Sequence, residues 1–140
     1  MTKEKKLIFW ELNEINFDYV NFYISEGKLP NWKKLIENHG LFTTIAEENY
    51  NNLEPWIQWP TIRTGLAFEE HKIFRLGDIE GSKLRQHWEI LEEKGYSVAA
   101  ISPINASNNT QNSNFWIPDP WVDSKISGNG FIKRFSKAIK

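Results

Sequence analysis

Leu7-Ile8-Phe9-Trp10, then Asn16 to Gly27, then Leu41-Phe42-Thr43-Thr44-Ile45-Ala46: these three stretches, with Ser97-Val98-Ala99-Ala100-Ile101 further on, decide the fold class. The first is a short continuous apolar run, the pattern of a strand buried on both faces. Asn16 is placed to cap a helix with Phe17, Val20 and Ile24 on one face, and Gly27 to end it. Pro30 suits the first turn of a second helix carrying Trp32, Leu35 and Ile36, closed by Gly40. Leu41–Ala46 reads as a second strand. Ser82 is placed to cap a helix with Leu84, Trp88 and Leu91 on one face, ending at Gly95, and Ser97–Ile101 reads as a third strand. Strands alternating with helices predict an α/β domain, a mainly parallel sheet flanked by helices, spanning 1–140 as one unit.

Composition sets the bounds. The chain has 140 residues, 40% hydrophobic and 25% charged, so a soluble globular protein with a sizeable core is expected. Net charge is −1, which gives no global field toward nucleic acid or an acidic membrane, and neither is expected as a partner. The absence of cysteine excludes disulfides, thiolate metal sites and a Cys nucleophile, and leans the location toward the cytoplasm. Glu11 interrupts the first apolar run, leaving it too short for a signal-peptide core or a membrane span. The Asn- and Ser-rich tract Asn105–Asn114 reads as an exposed loop. The tail from Gly130 places Phe131, Phe135 and Ala138 on one face, with Lys133, Arg134, Lys137 and Lys140 pointing away. A helix packed by its apolar face on the sheet is the first reading, and a membrane-surface helix the second.

Three clusters offer chemistry. Glu11-Leu12-Asn13-Glu14 follows the first strand, where ligand sites gather in parallel sheets. Glu11 and Asn13 are oxygen donors for a hard cation, or plain loop and capping residues. Leu53-Glu54-Pro55-Trp56-Ile57-Gln58-Trp59-Pro60-Thr61-Ile62-Arg63-Thr64-Gly65-Leu66, with His71 after it, begins a helix at Pro55, whose N-terminus favours anions. Glu54 is a candidate metal ligand or an ordinary N-cap. Trp56 and Trp59 suit a core better than a ligand stack, and His71 alone suits a structural hydrogen bond as well as acid–base work. His39 and His87 sit at helical positions and read as structural or solvent-facing. In Asn114–Trp121, two prolines bracket Asp119, aiming a carboxylate at a site or merely stiffening an aromatic loop. No P-loop, dinucleotide fingerprint, zinc-binding His-Glu-x-x-His or Gly-x-Ser-x-Gly elbow is present.

The order of these motifs resembles the N-terminal part of the alkaline phosphatase superfamily. It is the series Gly27-Lys28-Leu29-Pro30-Asn31, Gly40 before a Thr-rich strand, Trp59-Pro60-Thr61-Ile62-Arg63-Thr64-Gly65-Leu66 and His71-Lys72-Ile73. It is similar to the type I phosphodiesterase/nucleotide pyrophosphatase and sulfatase-like branch, and to bacterial members with Glu-Leu-Asn-Glu and Glu-Pro-Trp-Ile-Gln-Trp signatures. The resemblance implies a partial domain of that fold and hydrolysis of a phosphate or sulfate ester assisted by zinc, manganese or calcium. Asn13 falls where the family has its first metal-binding Asp, with Glu11 and Glu54 as further ligands. The family's nucleophile position falls on Pro55, which has no hydroxyl, so Glu54, Thr61 and His71 are the candidate catalytic groups. Gln58, Arg63 and Asp119 are the candidate substrate contacts. Lys72 stands where the family's turn has Gly. The family's later Asp/His ligands have no counterpart in 1–140, which implies a truncated or split member completed by a complementary half or a homo-oligomer. A non-catalytic module binding a sugar-phosphate or a partner protein is the alternative.

Overall fold

The computed structural model describes residues 6–46 and 49–139. Its regular elements are helices α1 (Phe17–Ser25), α2 (Pro30–His39), α3 (Pro55–Thr64), α4 (Phe68–His71), α5 (His87–Glu93) and α6 (Gly130–Ala138), and strands β1 (Ala99–Ile101) and β2 (Phe115–Ile117). The fold is mixed α/β. The chain divides into two compact units, Met1–Ile45 and Ala46–Lys140.

In the first unit, local signals determine the helices. The Asn16 side chain accepts hydrogen bonds from the backbone N–H groups of Asp18 and Tyr19, capping α1 as its sequence position predicts. Pro30 opens α2, whose end at Gly40 has φ +81°. The two helices meet through an edge-to-face contact of Phe17 and Trp32, centroids 6.0 Å apart. The expected strands 7–12 and 41–46 are not formed: both segments lack regular structure, and Ile8 is 89% exposed. An apolar run becomes a strand only when a strand ladder satisfies its N–H and C=O groups, and among the described residues the ladder formed is that of the second unit.

The second unit holds the sheet, which is smaller than expected. β1 and β2 pair in parallel, with Ala99, Ala100 and Ile101 opposite Phe115, Trp116 and Ile117. Only the third expected strand is therefore a strand, and its partner comes from residues read as an aromatic loop. Trp116 is fully buried and meets Trp88 of α5 edge to face at 4.9 Å. Val98 and Ala106 complete that cluster, and Ile73, Ile79 and Val122 form a second one with Leu84 beside it. α5 begins at His87 rather than after Ser82. The Ser82 carbonyl is taken by the Asn109 side chain at 3.1 Å, while the Glu89 carboxylate accepts the Gln86 N–H at 2.8 Å and sets the helix start there.

Two further expectations are corrected. Asn105–Asn114 is not an exposed loop: Asn105, Ala106, Ser107, Asn108 and Thr110 are buried. α6 does not bury its aromatic face either. Ser136 is the residue it buries, Ile132 lies against Gly128, and Phe131 is 65% exposed. A Cβ on Gly128 would lie 2.9 Å from Ile132 and 3.1 Å from Phe115, so glycine is what allows α6 to approach β2 this closely. Lys140 lies outside the described residues.

Candidate functional site

The candidate residues of the second unit gather on and around α3. Pro55 starts this helix, and Gly65, at φ +71°, ends it in the left-handed conformation. Thr61 and His71 are a candidate pair that the fold brings together: Thr61 Oγ1 and His71 Nε2 are 2.9 Å apart. The pairing follows from the sharp turn after α3, which folds the short α4 back beside it.

The direction of that hydrogen bond is fixed by the other side of the ring. His71 Nδ1 accepts the Ile73 backbone N–H at 3.0 Å, so in the neutral imidazole the proton sits on Nε2. Nε2–H then donates to Thr61 Oγ1, whose own proton goes to the Ile57 carbonyl at 3.2 Å. A hydroxyl activated for attack needs the reverse polarity, with Nε2 free to take its proton. The pair holds α4 against α3 and does not activate Thr61.

Of the other candidates, Gln58, Arg63 and Asp119 are engaged in structural contacts. Glu54 is the N-cap residue of α3, is exposed, and makes no side-chain capping bond. Gln58 donates from Nε2 to the Asn52 carbonyl at 2.8 Å. Arg63 is buried with its guanidinium over Trp59 and Trp88, 5.2 and 5.3 Å from the ring centroids, and donates to the Ile104 carbonyl. Asp119 is 1% exposed and accepts from three backbone N–H groups: Asn105, Trp121 at 2.9 Å and Val122 at 2.8 Å. Glu11 and Asn13 belong to the first unit, at a turn where Glu14 has φ +54°, and Glu54 belongs to the second. Among the described residues no three His, Asp or Glu side chains cluster as one cation would require.

Sequence reading missed the hub of this region. Asn105, fully buried at φ +48°, donates to the carbonyls of Trp56 at 2.7 Å and Arg75 at 3.3 Å, and accepts the Gly77 N–H at 3.0 Å. It thereby ties α3, the turn at 75–78 and the Asp119 loop together. Glu89 was missed as well. One carboxylate oxygen accepts the Gln86 N–H and the other the Asn109 N–H at 3.1 Å. The three-residue spacing of Gln86 and Glu89, as in a capping box, was the available signal.

Burial pushes the Glu89 carboxyl above its ordinary value of 4.5, against the lowering effect of the two backbone donors. A raised folded-state value means that the folded protein binds the proton more tightly than the unfolded chain. Stability at this site is therefore present below the ordinary Glu range and is lost as pH rises through the raised value. Glu89→Gln removes that titration, though its amide can accept only one of the two N–H groups. The expected result is a urea midpoint that falls in the wild type relative to Glu89→Gln as pH rises above the ordinary Glu value of 4.5. A gap that moves the other way sinks this account of Glu89.

Comparison of the chain with protein-family models, with curated proteins and with solved structures finds no match. Among the described residues no helix is long and apolar enough to cross a membrane.

Proposed function

We propose that this chain is a divergent hydrolase segment of the phosphoesterase and sulfatase type, with little or no turnover of its own. The reversed Thr61–His71 hydrogen bond carries this reading. It joins two of the three candidate catalytic residues, in a polarity that leaves the hydroxyl unactivated. Lys72 adds support. It has φ +57°, the left-handed region, at the position where the family's turn has glycine. A side chain there costs about 1–2 kcal/mol, which suits a chain that has drifted from its family's sequence.

In this reading the two strands are a fragment of a larger, mainly parallel sheet flanked by helices. Glu11 and Asn13 would hold zinc, manganese or calcium weakly, because an amide replaces one carboxylate. The metal would supply charge neutralisation on an ester oxygen. The second reading is a non-catalytic module for a sugar-phosphate or a partner protein. It is favoured by the structural engagement of Gln58, Arg63 and Asp119, three residues that a substrate would need free.

Hydrolysis assays on the purified chain separate these readings from that of a self-sufficient enzyme. Nitrophenyl phosphate monoesters, diesters and sulfates, each with zinc, manganese or calcium, should turn over at the uncatalysed rate. Thr61→Ala should change nothing. Loss of a single oxyanion donor costs roughly 10²–10³ in turnover, and here the nucleophile is missing too. Robust metal-dependent turnover abolished by Thr61→Ala or Glu54→Gln would overturn the proposal.

A further inference from the structure

Charge is segregated along the chain. Residues 124–140 carry five Lys or Arg and no Asp or Glu, although the whole chain has a net charge of −1. Within this stretch α6 is fastened to the second unit by the side that buries Ser136 and sets Ile132 against Gly128. That arrangement leaves Phe131, Phe135 and Ile139 facing out, at 65%, 46% and 41% exposure. The two rings stack at 6.3 Å, one helical turn apart, as a single apolar ridge. Lys133, Arg134 and Lys137 are exposed on the rest of the helix surface.

We infer that α6 is a docking element for an anionic lipid surface. An apolar ridge with cations beside it is the composition that an interfacial helix requires: rings enter the boundary between headgroups and acyl chains, and the cations remain among the phosphates. Charge selects this occupant. An uncharged apolar partner would leave the cations without counter-charges, and a second copy would set Lys133, Arg134 and Lys137 against the same three. A ridge this small inserts shallowly, so attachment needs both the rings and the charges, and it should be weak and reversible. The inference does not depend on the hydrolase reading, because it uses no residue of α3 or α4.

Vesicle co-sedimentation of the purified chain tests it. Vesicles of phosphatidylcholine with phosphatidylglycerol should bind the chain, and phosphatidylcholine alone should not. Binding should collapse as salt shortens the screening length from about 10 Å at 0.1 M to about 3 Å at 1 M. The double variant Phe131→Ala, Phe135→Ala should bind about tenfold more weakly, given the apolar area it removes. Lys133→Gln with Lys137→Gln should weaken binding to anionic vesicles as well. All four residues are exposed, so circular dichroism should show the wild-type fold in both variants. The inference is overturned if the chain ignores anionic vesicles, or binds neutral ones equally. Unchanged binding in either variant overturns it too, as does a homodimer in size-exclusion chromatography that Phe131→Ala, Phe135→Ala dissociates.

Discussion

Asp119→Ala should destabilise the second unit by about 3–5 kcal/mol, the cost of breaking a buried, hydrogen-bonded charged group. The carboxylate accepts the N–H groups of Asn105, Trp121 and Val122, and its removal leaves three backbone donors without that acceptor, two of them at buried bonds. A domain of this size has roughly 5–15 kcal/mol of stability in total, so the variant should lose a large fraction of it. Urea unfolding followed by tryptophan fluorescence measures the change. A variant as stable as the wild type would return Asp119 to the role of an available ligand-binding carboxylate.

Asn105→Ala is expected to cost about 2–4 kcal/mol, through unpaired part-buried groups at Trp56, Arg75 and Gly77 and the loss of a residue type that tolerates positive φ. Asn112, seven positions on in the same tract, is exposed, and only its backbone N–H is bonded, to Glu92. Asn112→Ala should therefore stay within about 0.5 kcal/mol of the wild type. Chemical denaturation of the pair is a direct comparison. Equal midpoints for the two variants would show that Asn105 is not the hub described above.

The contrast between these two asparagines marks how much of the structure was legible. Signals confined to a few neighbouring residues were read correctly: the Asn16 cap, Pro30 and Pro55 at helix starts, and Gly40 at a helix end. Each acts through one turn of backbone, so neighbouring residues suffice to define it. Asn105 acts on groups 28, 30 and 49 positions away, and composition alone made its tract look like a solvated loop. α6 failed for a related reason. Its periodicity was right, but amphipathicity says that an apolar face exists and not which side meets the sheet, and Gly128 decided that. Of the candidate site, the partnership of Thr61 with His71 could be guessed from the order of motifs. Its polarity could not, because it rests on the backbone N–H of Ile73.

The polar interior of the second unit also bears on how the protein responds to temperature. Unfolding exposes Asn105, Ser107, Asn108, Thr110, Asp119 and Ser124 together with Trp116 and Ile79. Hydration of polar surface lowers the heat capacity by about 0.26 cal/K/mol per Å², whereas apolar surface raises it by about 0.45. The two contributions offset each other here, so the heat-capacity increment of unfolding falls below the roughly 12–15 cal/mol/K per residue of an ordinary domain. A smaller increment flattens the dome of stability against temperature. The second unit should hold a nearly constant, modest stability across a wide thermal range and resist cold denaturation better than an oil-filled core of equal size.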